Sequence, residues 1–297
     1  MFDLRYHVTS LAAVFIALVI GILVGVALAS HGLSNTERDR LQEDLRHANA
    51  RNDSLKSQLD AIAADSFADR TYVDRTYRVV MANRLKGKKI AVLFVGSANG
   101  DVRSAITRAL GYADAGPPVR IRAVSVPVDA AAVAKRLANR PFLAAYAGSR
   151  RLEDLGHALG QEFAAGKETP LWNALQNLIV EERLGNPKQP ADGVVVVRTA
   201  DAQTGPTARL LKGLYAGLGD VGIPAVGVET KDGDPSAMKA FQSAGLSSVD
   251  DVDTRAGKLA LVLLLSDPTV SGDFGIKATA HDGLLPTVQP LTTTTGG

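Results

Sequence analysis

Three carboxylates crowd one short stretch, "SSVDDVDTRAG", where Asp250, Asp251 and Asp253 stand within four positions. Oxygen-rich clusters of this kind suit hard cations. The alternative is a solvated cluster in which Asp253 caps the helix that "TRAGKLALVLLL" forms, and the sequence favours that alternative. A second candidate is "FVGSANGDVRS", which leaves an apolar run and enters a helical one. The exposed N–H groups of a helix start can hold an anion there, with Asn99 to Arg103 as the residues concerned. The stretch lacks both the full G-x-G-x-x-G pattern and the Lys-Ser/Thr pair of a phosphate loop, so an ordinary strand-to-helix turn capped by Asn99 or Asp101 is expected. His281 beside Asp282 has no motif around it and is expected at the surface. No G-x-S-x-G elbow and no H-E-x-x-H occur. The chain has no cysteine, which excludes disulfides, thiolate catalysis and Cys-ligated zinc. No catalytic residue and no cofactor are therefore assigned, and the chain is not expected to be an enzyme.

A near-neutral net charge of +2 over 297 residues gives no electrostatic footprint for nucleic acid, so no nucleic-acid partner is expected. The informative features lie in the elements. From Val8 to Ser30 no residue is formally charged, and about 20 apolar residues in a helix cross a hydrocarbon core of roughly 30 Å. Residues 1–31 form a single membrane anchor in the lipid bilayer. Ala27-Leu28-Ala29 fits the small-x-small rule for signal cleavage, but the apolar run is too long and "MFDLRYH" too weakly basic for an export signal, so retention is favoured. Lys and Arg are nearly balanced across the helix. A short leader before a large domain gives an envelope protein with its C-terminal domain extracytoplasmic. Ala13, Ala17, Gly21, Gly25 and Ala29 recur every fourth residue, a face on which helix backbones can approach closely in lipid.

Residues 32–86 comprise a coiled coil and a basic connecting helix. Leu41, Leu45, Ala48, Asn52, Leu55, Leu59 and Ile62 are spaced 4-3-4-3-4-3, with Leu45, Asn52 and Leu59 at a and the others at d. The apolar stripe is narrower than that of a helix lying on a globular core. Asn at a favours a parallel dimer, whereas Arg51 at g facing Lys56 at e of a partner opposes one, so a trimer or an intramolecular helix pair remains open. A parallel coil would also bring the membrane helices together. Self-association, as a parallel dimer or a higher oligomer, is the expectation.

Residues 87–287 alternate between the strand-like "KKIAVLFVG", "VRIRAVSV", "DGVVVVRT" and "IPAVGVET" and helical segments, with a mostly helical insertion at about 130–184 and a flexible tail at 288–297. This predicts an α/β fold with a mainly parallel Rossmann-like sheet and helices on both faces.

"MFDLRYHVTSLAAVFIALVIGILVG", the adjoining coil, "RLKGKKIAVL", "SSVDDVDTRAGKLALVLLL" and "GDFGIKATAHDGLLP" together resemble the mycobacterial copper-transport outer-membrane protein family, MctB. The resemblance covers nearly the whole chain in order. It implies a single-helix envelope protein of channel-forming type that takes part in copper homeostasis or solute export, with copper ions as transported solute. It carries over no catalytic or metal-ligating residue. Cu(I) prefers thiolate and thioether, and Cu(II) accepts imidazole. Beside the absent cysteines stand only Met1, Met81 and Met238, with His7 and His31 at opposite ends of the apolar stretch and His47 distant from both. A His31 pair between subunits is the one conceivable shared set. No run of alternating strands suggests a β-barrel, and a pore made from one apolar helix per chain would require a ring of copies. A non-catalytic, membrane-anchored scaffold or partner-docking module is the alternative to transport.

Overall fold

The computed structural model describes residues 4–30, 35–98 and 100–291. They divide into two compact units on either side of the Val73–Asp74 bond. The first contains α1 (Leu4–Ser30) and most of α2 (Asn35–Met81). Within α1, Ser10–Ala27 is long and apolar enough to cross a bilayer.

The second unit is a mixed α/β fold on a seven-stranded sheet in the order β3-β2-β1-β4-β5-β6-β7. The strands are β1 (Ile90–Val95), β2 (Arg120–Val124), β3 (Val180–Gly185), β4 (Gly193–Arg198), β5 (Ala225–Val228), β6 (Ser247–Val249) and β7 (Asp273–Phe274). Every neighbouring pair is parallel except β2–β3, which is antiparallel and irregular between Ala123 and Val124. The unbroken apolar runs of β1 and β4 follow from burial on both faces. Ala91, Leu93, Val95, Val194 and Val196 point into one apolar cluster, and Ile90, Val92, Phe94, Val195 and Val197 into the other.

Helices α4 (Ala130–Ala138), α5 (Leu152–Ala165), α6 (Pro170–Leu175), α7 (Gly205–Gly219) and α8 (Met238–Ser243) contribute to the first cluster. The second takes α3 (Gly100–Tyr112), α9 (Arg255–Ser266) and the end of α2, where Tyr77 and Met81 are buried. This end is fixed by an Arg255–Asp74 ion pair at 2.7 Å and by Arg78 lying over the Tyr112 ring.

The expected helix-sheet-helix layering holds. The stretch read as a helical insertion also contributes β3, and β6 and β7 were not anticipated. β3 alternates weakly among charged residues, and β6 and β7 are too short to show a period of two.

Helices α5 and α7 pack backbone against backbone. A Cβ added at Gly156 would lie 2.0 Å from the Leu210 carbonyl oxygen, and one at Gly160 2.4 Å from that of Leu214. Reciprocally, additions at Gly213 and Gly217 would lie 2.0 Å from the carbonyl oxygens of Glu153 and His157. The interface therefore comprises two interlocked G-x-x-x-G edges, close enough for Cα–H to carbonyl contacts. The Glu153–Lys212 ion pair and a His157–Asp220 hydrogen bond, both at 2.8 Å, flank it.

Candidate functional site

In open α/β sheets the ligand crevice lies beyond the carboxyl ends of the strands, where successive connections diverge. Here the chain leaves β1 toward β2 and leaves β4 toward β5, so the switch point lies between β1 and β4. It is stitched shut. Thr199 N–H and Ala200 N–H both donate to the Val95 carbonyl oxygen, at 2.9 and 3.1 Å. The Thr199 hydroxyl donates to the Ser97 carbonyl oxygen at 2.7 Å. Gly96, at φ +101°, passes so near that a Cβ would sit 2.7 Å from Ala200 N. The glycine that follows β1 thus permits a loop-to-loop contact rather than a phosphate cradle. Of the residues proposed for an anion, Asn99 lies outside the described residues. Arg103 is held by Glu182 of β3, its Nη1 donating to both carboxylate oxygens at 2.9 and 3.2 Å.

One step along the sheet, a polar crevice of about 230 Å³ opens beyond β4 and β5, with Arg198, Asp201, Glu229 and Asp234 among its lining residues. Its deepest carboxylate is already engaged. Glu229 accepts from the Ser236 hydroxyl, from Ala237 N–H and from Lys277 Nζ, each at 2.7 Å. Lys277 Nζ also donates to the carbonyl oxygens of Thr230 and Gly233, at 3.1 and 2.8 Å, which occupies all three of its protons. A partly buried ion pair with its remaining donors satisfied in this way holds the loops in place.

The acidic cluster requires a correction. Asp250 and Asp251 are not solvated; each is 1 % exposed. Asp250 accepts from Ile276 N–H at 2.8 Å and Lys277 N–H at 3.0 Å, and so clasps the segment that carries the lysine. Gly275 must lack a side chain, because at φ +138° its Cβ would fall 2.0 Å from Asp250 Oδ1. Asp251 accepts from the Thr254 hydroxyl at 2.7 Å, and burial raises its carboxyl pKa. Its Oδ1 has no hydrogen-bond partner among the described residues.

Asp253 does not cap α9. Thr254 does, accepting from Gly257 N–H at 3.0 Å, while Asp253 accepts from Lys231 N–H at 2.8 Å. The hydroxyl reaches N3 from the position immediately before the helix, one residue later than the cap expected from the carboxylate. His281 is exposed, as expected, 3.8 Å from Asp273. Asp282 accepts from Asp273 N–H at 2.8 Å and fastens β7.

Two of the stretches that carried the family resemblance, "SSVDDVDTRAG" and "GDFGIKATAHDG", therefore meet as the halves of one clasp. The family described as "Copper transport outer membrane protein, MctB" matches residues 1–285. The chain belongs to the MctB family. Its relatives include proteins called "Copper transporter MctB" from Mycobacterium bovis and Mycobacterium tuberculosis, 26% identical over 319 aligned positions that cover 97% of this chain and 100% of theirs. Membership and the apolar α1 together fit a membrane protein.

Among the described residues no group of three or more His, Asp or Glu converges as metal ligands. Met81 and Met238 are buried in different apolar clusters. His47 stands 3.9 Å from Glu43 on the surface of α2, and His31 lies outside the described residues.

The association residues are placed as follows. Ala13, Ala17, Gly21 and Gly25 lie along α1, and a Cβ added at either glycine meets nothing within 4 Å. Ala29 continues the row in the helical backbone, and its side chain lies outside the described residues, as does that of Leu28 in the small-x-small motif. Along α2, Leu41, Leu45, Leu55, Leu59 and Ile62 are 54–64% exposed, and Ala48 and Asn52 between them are exposed as well.

Two further features escaped the sequence reading. Arg120 and Arg122 of β2 are buried, and burial lowers both guanidinium pKa values to about 10, where they remain charged at neutral pH. Arg120 donates to the Pro187 carbonyl oxygen at 2.8 Å and lies over the Phe163 ring, while Arg122 donates to Leu184 at 2.9 Å. The signal was present as an alternation of Arg with Ile and Ala, though in a strand it normally marks a wet face.

Proposed function

We propose that this chain acts in copper homeostasis as a membrane-anchored, self-associating member of its family, with copper as the solute and the α/β unit on the extracytoplasmic side. The observation that carries self-association is the row of large apolar side chains on α2. Five Leu or Ile residues more than half exposed along one heptad seam cost solvation free energy in a lone helix and lose that cost when a second seam covers them. The small-residue face of α1 supports the same arrangement in lipid. The copper assignment rests on the family and on the names of its mycobacterial relatives. The chain is non-catalytic in this reading.

The same seam supports a second reading, a scaffold that gathers partners at the membrane without moving a solute. A deletion strain tested for copper sensitivity, together with conductance of the purified full-length protein in planar bilayers, separates the two. Copper hypersensitivity with conductance supports transport. Unchanged copper tolerance and a silent bilayer, with loss of envelope partners in a pull-down, support the scaffold. Crosslinking and protease protection in vesicles test subunit number and sidedness, and a monomer at every concentration tried rules out self-association.

A further inference from the structure

A cleft of about 280 Å³ lies between α7 and α8 and shares Arg198 with the crevice beyond β4 and β5. Leu211 and Tyr215 of α7 and Ala240 and Ala244 of the α8 segment make it mostly apolar, while Arg198 and Lys212 also line it. That volume is close to the lower end of the range for small-molecule sites, roughly 300–1,000 Å³, and is too small for a nucleotide.

Two polar groups give the cleft a direction. Tyr215 is 3% exposed, with its ring edge-on to Phe241 at 5.0 Å between centroids. Its hydroxyl has no hydrogen-bond partner among the described residues and is not sealed in the core, so it opens onto the cleft it lines. Buried hydroxyls are ordinarily paired, because leaving one unpaired costs free energy. The two cations differ in their commitments. Lys212 is neutralised by Glu153 at 2.8 Å. Arg198 donates only to the Pro235 carbonyl oxygen and has no carboxylate within ion-pair distance among the described residues. Its charge acts on the Tyr215 hydroxyl, partly opposing the effect of burial on that phenol.

We infer that this cleft binds a small organic carboxylate with an apolar body. The carboxylate takes charge-assisted hydrogen bonds from Arg198 and the Tyr215 hydroxyl. The body packs on Leu211, which is already buried, and removes the exposed Ala240 and half-buried Ala244 from water. A purely polar anion leaves the apolar walls wet, and an uncharged isostere leaves Arg198 unmatched. Its lining residues come from β4, α7, α8 and the segments beside them.

The test titrates full-length protein in zwitterionic nanodiscs with 4-phenylbutanoate, 4-phenylbutanamide and inorganic phosphate by calorimetry, subtracting protein-free nanodiscs. The expected result is one carboxylate per chain, with the amide and phosphate at least about tenfold weaker. Tyr215→Phe is expected to weaken the acid about three- to tenfold at unchanged melting temperature, since the hydroxyl makes no bond within the protein. Arg198→Lys is expected to retain more affinity than Arg198→Met. Ala240 is exposed, so Ala240→Phe is expected to fill the cleft and abolish binding while the fold persists. Equal affinity for acid and amide, phosphate binding as tight as the acid, or no heat at millimolar ligand overturns the proposal. So does binding that survives Ala240→Phe. If Ala240→Phe fails to fold, the comparison of acid with amide on the unmodified chain decides.

Discussion

Glu162 shows how far one carboxyl can be moved by its surroundings. It accepts from Leu171 N–H and Trp172 N–H, which favours the charged form, yet burial outweighs them and raises its pKa to about 7. A folded-state pKa above the unfolded value means that the native state holds a proton that the unfolded chain has released. The stability due to this group is therefore complete below pH 4.5 and declines as pH rises toward 7. Glu162→Gln should flatten that slope, which urea titrations across pH 4.5 to 7.5 would measure. Backbone demands are equally local. Gly275→Ala places a methyl group on Asp250 and a side chain at φ +138°, with about 1–3 kcal/mol expected from the backbone conformation alone. Thr254→Ala removes the α9 cap, for about 1 kcal/mol. Asp253→Ala should cost less helix stability than Thr254→Ala, because Asp253 serves Lys231 N–H instead.

At the scale of elements, four-residue glycine spacing occurs in α5 and α7 as well as in the apolar N-terminal helix. Soluble helices use the same device when two backbones must touch. Gly213→Ala and Gly156→Ala should each lower the melting temperature by several degrees. Gly111→Ala in α3, where an added Cβ meets nothing within 4 Å, should be neutral or stabilise by up to about 1 kcal/mol. The strands that could be read, β1, β2, β4 and β5, are those buried on both faces over four or more residues. β3, β6 and β7 were not legible because their pairing is set by neighbours and by clasps from Asp250 and Asp282, which no local pattern reveals. Likewise the carboxylates of "SSVDDVDTRAG" announced chemistry by type, but the partners of Asp250 and Asp253 lie more than twenty residues away in sequence. On α2, Asn52→Leu should raise the stability of the assembly proposed above while relaxing its register and subunit number. Sedimentation and single-cysteine crosslinking of the full-length protein would read both effects.

Across the whole molecule, protection should follow the sheet outward from its centre. Amides of Val92–Phe94 and Val195–Val197 lie between two apolar clusters and should exchange slowest, while those of β3 and β7 should exchange first. Hydrogen exchange with mass spectrometry would resolve the order. Both margins of the sheet are short or charged: β7 has two residues, and β3 is "VEERLG" with an irregular pairing to its neighbour. Such borders offer little to a foreign strand. Two copies of this domain brought close together would thus be poorly equipped to fuse edge to edge into fibres. Self-association of the kind proposed above would therefore fall to the helices and not to the sheet.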